Sequence, residues 1–523
     1  LIEGPPKDAD YIMGSARGLF TLSTNMVPFL QNDQGNRANY AAKQMSQAIS
    51  LVRKEAPLVQ AHTGSKAIGL TWERLLGHLF SHKSPVNGTV TTIGNDYIKI
   101  KDDKTNKIHE VPLYQHYPLN DGRSMIHADT IRVERGDKVK AGQIISDTNF
   151  TYDGVLATGV NLRVAYIPFG QKTFEDGIVV SESAAQKLTS EHLYQERLFA
   201  SRDYTLNKAK YRANYPDRLT DDQAGKLDSE GIITVGSKVG PGDTLVAALR
   251  KTDMGKEQLI LQGIHKSLVT PFKDVSLIWK NDVPGVVKEV VRNGKEIKIH
   301  VQTHEPAQAG DKISARHGNK GVISRVVPDE EMPHDKDGNP MEIILNPLGV
   351  GGRINPGQIL ETSLGKVAKH TGDPYAVTNF EPDPNRRIIR VKGHWRNVAT
   401  KKGPKPVFIK GYEYERNYRK LVEEELERHG LSDREPLYDP ATGEELKVTD
   451  GEGGILTGYQ YILKLEHTSA KKLIARNQGA GMEYDANLAP KGGGKHGAQS
   501  MGELGLYAML AHGEQAANLR EML

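Results

Sequence analysis

Lys312 and Lys320 stand eight positions apart in a glycine-punctuated stretch, GDKISARHGNKG, with Arg316, His317 and Asn319 between them. Further on, Arg353 follows Gly351 and Gly352 and precedes Asn355, Pro356 and Gly357. Glycines let a backbone turn tightly and approach a ligand closely. Cations held on such turns suit phosphate oxygens, Arg by gripping two at once and Lys as a point charge. The chemistry this pattern suggests is the binding of phosphate oxygens. The competing reading is a Gly-rich β domain whose lysines are merely solvated.

Other stretches carry candidate groups. Glu175 and Asp176 precede a β-branched run, Ile178 to Val180. Such a pair is usually a surface turn, but hard carboxylate oxygens also suit Mg²⁺, often through water. Helical spacing runs from Arg37 to Ile49 and puts Arg37, Ala41, Gln44 and Gln47 near one face. That face is either solvated or ligand-facing. His467 follows a KLE string; a lone histidine is more often structural. Cations crowd the stretch from Arg386 to Lys405, which reads as a solvated loop or as a salt-sensitive contact with a nucleic-acid backbone.

These groups need a rigid frame, and the pattern around them is that of β structure. Val322, Ile323, Val326 and Val327 follow the lysine motif as a barrel-wall strand would. Short alternating runs fill Thr89 to Val164. Two similar strand–glycine–strand units occur at Val133–Ile145 and Thr234–Val246. They suggest shared β-units; a biotinyl or lipoyl carrier hairpin is the weaker alternative, since neither copy offers a convincing modifiable lysine. Residues 190–300 are highly charged, and Gln258–Ile264 with Leu268 has amphipathic helical spacing. A charged helix is expected from Tyr412 to Arg428, stopped by Gly430.

Composition bounds the rest. A chain of 523 residues has room for about three or four domains. It contains no cysteine, which excludes disulfides and Cys-ligated zinc and is compatible with a reducing compartment. The formal net charge is only +4, so any nucleic-acid binding requires cations clustered on one face. No apolar run approaches the length of a membrane span. The first residue is Leu, with no visible signal peptide, which suggests a processed, split or trimmed chain.

The long ordered match of HGNKG and NPLGV resembles the most strongly patterned segment of the second-largest (beta) subunit of bacterial-type multisubunit DNA-dependent RNA polymerases. FEDGIVVSE, the PFL…NR…MSQA stretch and the terminal KL.H segment resemble the same family, in family order. The resemblance covers nearly the whole chain but only about the C-terminal half of a usual beta subunit. It departs at Gln31–Gly35, where a more acidic run is usual, and at Ser500, where an Arg is usual. The resemblance implies a continuation beyond Leu523 that this sequence does not include. A split or phage-encoded version would account for this.

The resemblance implies an α+β, mainly β fold: a double-psi β-barrel with an inserted flap and a mixed C-terminal module. The implied divisions are 1–60 facing nucleotide and hybrid, 61–190 and 301–390 as two parts of the barrel region, 191–300 as the flap, and 391–523 as the terminal module. Lys312, Lys320, Arg353 and Arg37 are implied as the catalytic cations. Gln47, His467, Arg316 and Asn319 are implied to contact substrate or nucleic acid. Glu175 and Asp176 are implied to lie near a second, nucleotide-borne Mg²⁺. The string nearest a catalytic Asp triad is Glu483–Asn487, which is not one, so the main Mg²⁺ site is expected on the largest, beta-prime-like subunit. Further implied partners are an N-terminal beta portion, alpha-like or phage-specific subunits, an initiation factor at the apolar flap helix, DNA template, RNA and nucleoside triphosphates. The implied location is the bacterial cytoplasm and nucleoid, or an infected host cell. The alternative from another class is a non-catalytic nucleic-acid-binding or assembly protein that keeps the barrel.

Overall fold

The computed structural model describes residues 16–65, 70–114, 117–119, 124–170, 172–200, 203–251, 272–381, 388–390, 407–408, 417–446, 454–472, 484 and 503–511. Two compact units divide the chain, Leu1–Glu466 and His467–Leu523. The second contributes two described helices, Ser469–Lys472 and Glu503–Ala511. The architecture is mainly β with some helices, as the strand patterning implies. Among the described residues, no helix is long and apolar enough to cross a membrane.

Six strands close on themselves at the centre of the first unit. They are β1 (Gly159–Tyr166), β2 (Gly177–Ser181), β3 (Lys312–Ser314), β4 (Gly321–Val327), β5 (Ile343–Leu345) and β6 (Ile455–Lys464). The order is β1-β5-β2-β4-β3-β6, and β6 returns to β1 over the register Gly159↔Leu463 to Ala165↔Thr457. Two pairs are parallel, β1 with β5 and β2 with β4; the others are antiparallel. Closure removes exposed sheet edges. It also points alternate side chains inward, where Val160, Leu162, Ile178, Ile313, Ile323 and Ile343 form one buried cluster.

Five helices matter here: α1 (Gly35–Ser46), α2 (Trp72–Phe80), α3 (Leu348–Arg353), α4 (Gly357–Thr371) and α5 (Tyr418–Arg428). Helix α4 presses directly on β6. A Cβ added to Gly365 would lie 2.2 Å from the Tyr459 carbonyl oxygen, and one added to Gly458 would lie 2.2 Å from that of Thr362. Only glycine permits this approach. Helix α5 packs on α4 through Leu421, Val422 and Leu426, and stops before Gly430 at φ +65°.

Between β2 and β3 the chain leaves the barrel. Strands Ser190–Phe199 and Glu296–Glu305 pair along their whole lengths and lead to a lobe with its own core around Trp279, Tyr211 and Leu245. The apolar stretch Gln258–Ile264 lies outside the described residues, as does most of Arg386–Lys405. Residues 88–139 form a separate four-stranded sheet, so only the end of the 61–190 stretch supplies barrel strands. Conversely, β6 belongs to the barrel although it falls within 391–523. The two sequence-similar units share a backbone: Gly136 and Gly142 in one, Gly236 and Gly242 in the other, all with φ between +81° and +99°.

Candidate functional site

One cleft gathers several of the singled-out residues. Glu175 and Asp176 enter it from the turn before β2, Asn319 and Lys320 from the β3–β4 connection, and Arg353 from the end of α3. Glycine makes the approach possible: a Cβ on Gly321 would lie 2.5 Å from the Asp176 carbonyl oxygen. Arg353 pairs with Asp176 across the cleft. Two residues at the rim hold left-handed backbone despite carrying side chains, Glu175 at φ +50° and Ile354 at φ +51°. Such strain is costly for a β-branched residue and persists only where the surroundings enforce it.

Arg37 reaches the same loop from α1. Its Nη1 donates to the Gly318 carbonyl at 3.3 Å. Gly318, at φ +68°, lets the loop lie against the backbone of Arg37. Asn319 donates through Nδ2 to Gln358 Oε1 at 2.8 Å. Asn319 Oδ1 and Arg37 Nε are buried and have no protein partner among the described residues, so hydrogen-bonding capacity is left over at the site.

Lys312 does not line the cleft. It occupies the first position of β3, opposite Val322, and its carbonyl accepts from Leu465 N at 2.9 Å. Gln47 caps the far end of α1, where its carbonyl accepts from Glu466 N at 3.0 Å. His467 is half-buried and opens the second unit.

Arg316 and His317 lie between the lysines in sequence yet are buried. Arg316 is 2% exposed; it pairs with Glu73 at 3.1 Å and Glu361 at 2.7 Å and donates to the Val59 carbonyl at 2.6 Å. Both Nη atoms are thus committed to protein, Nε is buried without a protein partner among the described residues, and Arg316 lies inside the protein rather than in the cleft where it was expected to face substrate. His317 meets Asp33 Oδ2 through Nδ1 at 2.7 Å and Glu361 Oε2 through Nε2 at 2.5 Å. Burial opposes a charge on this ring, but the two carboxylates outweigh it and raise His317 to about 9. Burial likewise opposes the charge on Glu361, and Arg316 with His317 overcomes it, lowering Glu361 to about 2. Glu73 goes the other way: burial raises it to about 7 against the pull of Arg316. Sequence reading missed Asp33, Glu73 and Glu361, because nothing in their spacing ties them to the loop. The one signal was Asp33, an acid flanked by the amides Asn32 and Gln34.

The cations thus divide into two sets. Arg316 and His317 are neutralised inside the protein. Among the described residues, no carboxylate pairs with Lys312, Lys320 or Arg37, and each of these is only partly buried. Unneutralised cations beside a cleft attract an anionic ligand. Carboxylates are scarcer. Among the described residues no three His, Cys, Asp or Glu side chains are grouped to hold a metal ion. Glu175 and Asp176 alone, one of them engaged by Arg353, are too few donors for a resident Mg²⁺.

The profile of the family described as RNA polymerase Rpb2, domain 6, matches residues 84–483, and the chain belongs to that family. Among its relatives is the DNA-directed RNA polymerase subunit beta of Thermus thermophilus, 31% identical over 99% of this chain and 47% of that protein. The subunits of the same description from Deinococcus radiodurans and Syntrophomonas wolfei are 30% and 33% identical, over 46% and 44% of their lengths. The chain spans just under half the length of these relatives.

Proposed function

We propose that this chain is the C-terminal part of a beta-type subunit of a multisubunit DNA-dependent RNA polymerase, and that it supplies cations for template-directed nucleotidyl transfer. In this reading Lys312 and Lys320 contact phosphates at the RNA 3′ end, while Arg37 and Arg353 neutralise the incoming triphosphate and departing pyrophosphate. Asn319, Gln47 and His467 contact substrate or hybrid. The six-stranded barrel is a double-psi barrel, a reading supported by its two parallel pairs, and the lobe between β2 and β3 is the flap. The single observation that carries the proposal is the convergence of Lys320, Arg353, Glu175 and Asp176 on one cleft.

Electrostatics gives the rim its role. A charge about 4 Å from a phosphate gains roughly 4 kcal/mol at an effective dielectric near 20, before desolvation is subtracted. The two carboxylates are too few to own the catalytic Mg²⁺, so its ligands come from a beta-prime-like partner. Glu175 and Asp176 would tune the binding of a second, nucleotide-borne Mg²⁺, which supplies charge neutralisation for the triphosphate, rather than own it as ligands. The test is co-purification followed by a primer-extension assay. A partner bearing the catalytic Asp-triad loop and nucleotide addition by the joint complex are expected. A stable complex without such a chain, or one without nucleotide addition, overturns the proposal.

A further inference from the structure

Three segments far apart in sequence end on one imidazole. Asp33 stands just before α1, which carries Arg37; His317 lies in the loop that carries Lys320; Glu361 lies on α4, just beyond Arg353. The ring is fully buried, with a carboxylate against each nitrogen. Carboxylates only accept hydrogen bonds, so both contacts form together only when both ring nitrogens carry protons. The same residue is tied through its backbone, since its carbonyl accepts from Asn355 Nδ2 at 3.1 Å. Asp33 also accepts from the Gly357 N–H through Oδ1 at 2.7 Å, which fixes the start of α4.

We propose that His317 is a positioning residue whose doubly protonated ring clamps the loop of Lys320 to the segments carrying Arg37 and Arg353, so that the cations hold the RNA 3′ end and the incoming triphosphate in register. This rests on the phosphate-binding reading above. The groups facing the ring are Asp33 from the segment before α1 and Glu361 from α4. Arg316 shares Glu361 and is held from α2 by Glu73. Loss of one ring proton leaves a lone pair against a carboxylate, and one of the two tethers breaks. The lysine loop then loses its register with Arg353, and misplacement of reacting groups by about 1 Å costs rate steeply.

The test uses the polymerase assembled with its partner subunits, measuring nucleotide KM and kcat across neutral and alkaline pH. For the unaltered enzyme, KM is expected to rise as pH passes about 9, where His317 loses its proton. Asp33→Asn keeps an acceptor for Gly357 but removes a charge from the ring, and should move that rise down by about one pH unit or more. His317→Gln should show a KM about tenfold higher already at neutral pH, without a further alkaline rise. An alkaline rise unmoved by Asp33→Asn overturns the proposal, as does His317→Gln with an unaltered KM and alkaline rise. Should His317→Gln fail to assemble, the Asp33→Asn comparison decides alone. Normal nucleotide addition by Lys320→Ala would instead sink the phosphate-binding reading, whatever the pH profile shows.

Discussion

Arg353 reaches across the cleft to Asp176, its Nη2 against the carboxylate Oδ1. The two side chains are 29% and 45% exposed, so water screens the pair and it holds by no more than about 1 kcal/mol. A triphosphate, with more charge and more oxygens, can displace that carboxylate. Arg353→Ala should therefore chiefly raise the nucleotide concentration needed for half-maximal addition. Arg353→Lys should restore it only in part, because an ammonium cannot grip two oxygens in one plane. Steady-state assays over a nucleotide series check this, and an unchanged dependence in Arg353→Ala would refute the role.

Lys320 is the cleaner case for catalysis itself. No carboxylate among the described residues pairs with it, so its removal orphans no buried charge. Lys320→Ala should leave assembly intact and slow nucleotide addition by about 10²–10³-fold, by analogy with other transition-state donors. Lys312→Ala should also slow addition, although Lys312 sits further along the hairpin. Gel filtration of the complex together with single-turnover rates separates loss of assembly from loss of chemistry.

Stability should follow pH through the buried charges. His317 is raised from 6.5 to about 9, so its contribution is full below about pH 6.5 and is lost as pH rises through about 9. Glu73, raised from 4.5 to about 7, acts in the same direction: its contribution is present below about pH 4.5 and lost through about pH 7. Glu361, lowered to about 2, contributes above about pH 4.5 and loses that as pH falls through about 2. The sum is a maximum on the mildly acidic side and a decline toward alkaline pH. For His317 alone the decline is on the order of 3 kcal/mol. Thermal unfolding across pH should show it, and His317→Gln should flatten the stretch between about pH 6.5 and 9.

Local pattern carried the parts of the fold that depend on neighbours in sequence. The alternation at Val322–Val327 became β4, and the Gly430 stop ended α5. Helical spacing from Arg37 to Ile49 became α1, offset to Gly35–Ser46, which leaves Gln47 as its cap rather than on its face. What depends on distant partners was not legible. Closure of β6 on β1 joins residues some 300 positions apart, and no local period encodes that. Arg316 looked available because it sits between two lysines, yet Glu73 on α2 and Glu361 on α4 take it inward. Glu175 and Asp176 were legible as a pair, while the pairing of Asp176 with Arg353 needed the three-dimensional turn.

Glycine 318 offers the sharpest test of how the loop is held. Its φ is +68°, and a Cβ there would lie 2.6 Å from the carbonyl oxygen of Arg37. That atom is backbone and cannot swing aside, so Gly318→Ala must push α1 away from the lysine loop. The combined strain and overpacking should cost about 1–3 kcal/mol and raise the nucleotide KM. Gly236→Ala is the control. Its φ is +88°, but nothing lies within 4 Å of the added methyl, and it belongs to the inserted lobe. It should cost only the left-handed backbone penalty of about 1–2 kcal/mol and leave nucleotide dependence unaltered. Denaturant unfolding compares the two costs, and kinetics compares their effects on KM. Were both variants to lose stability alike without either touching KM, contact between α1 and the loop would have no part in presenting Arg37.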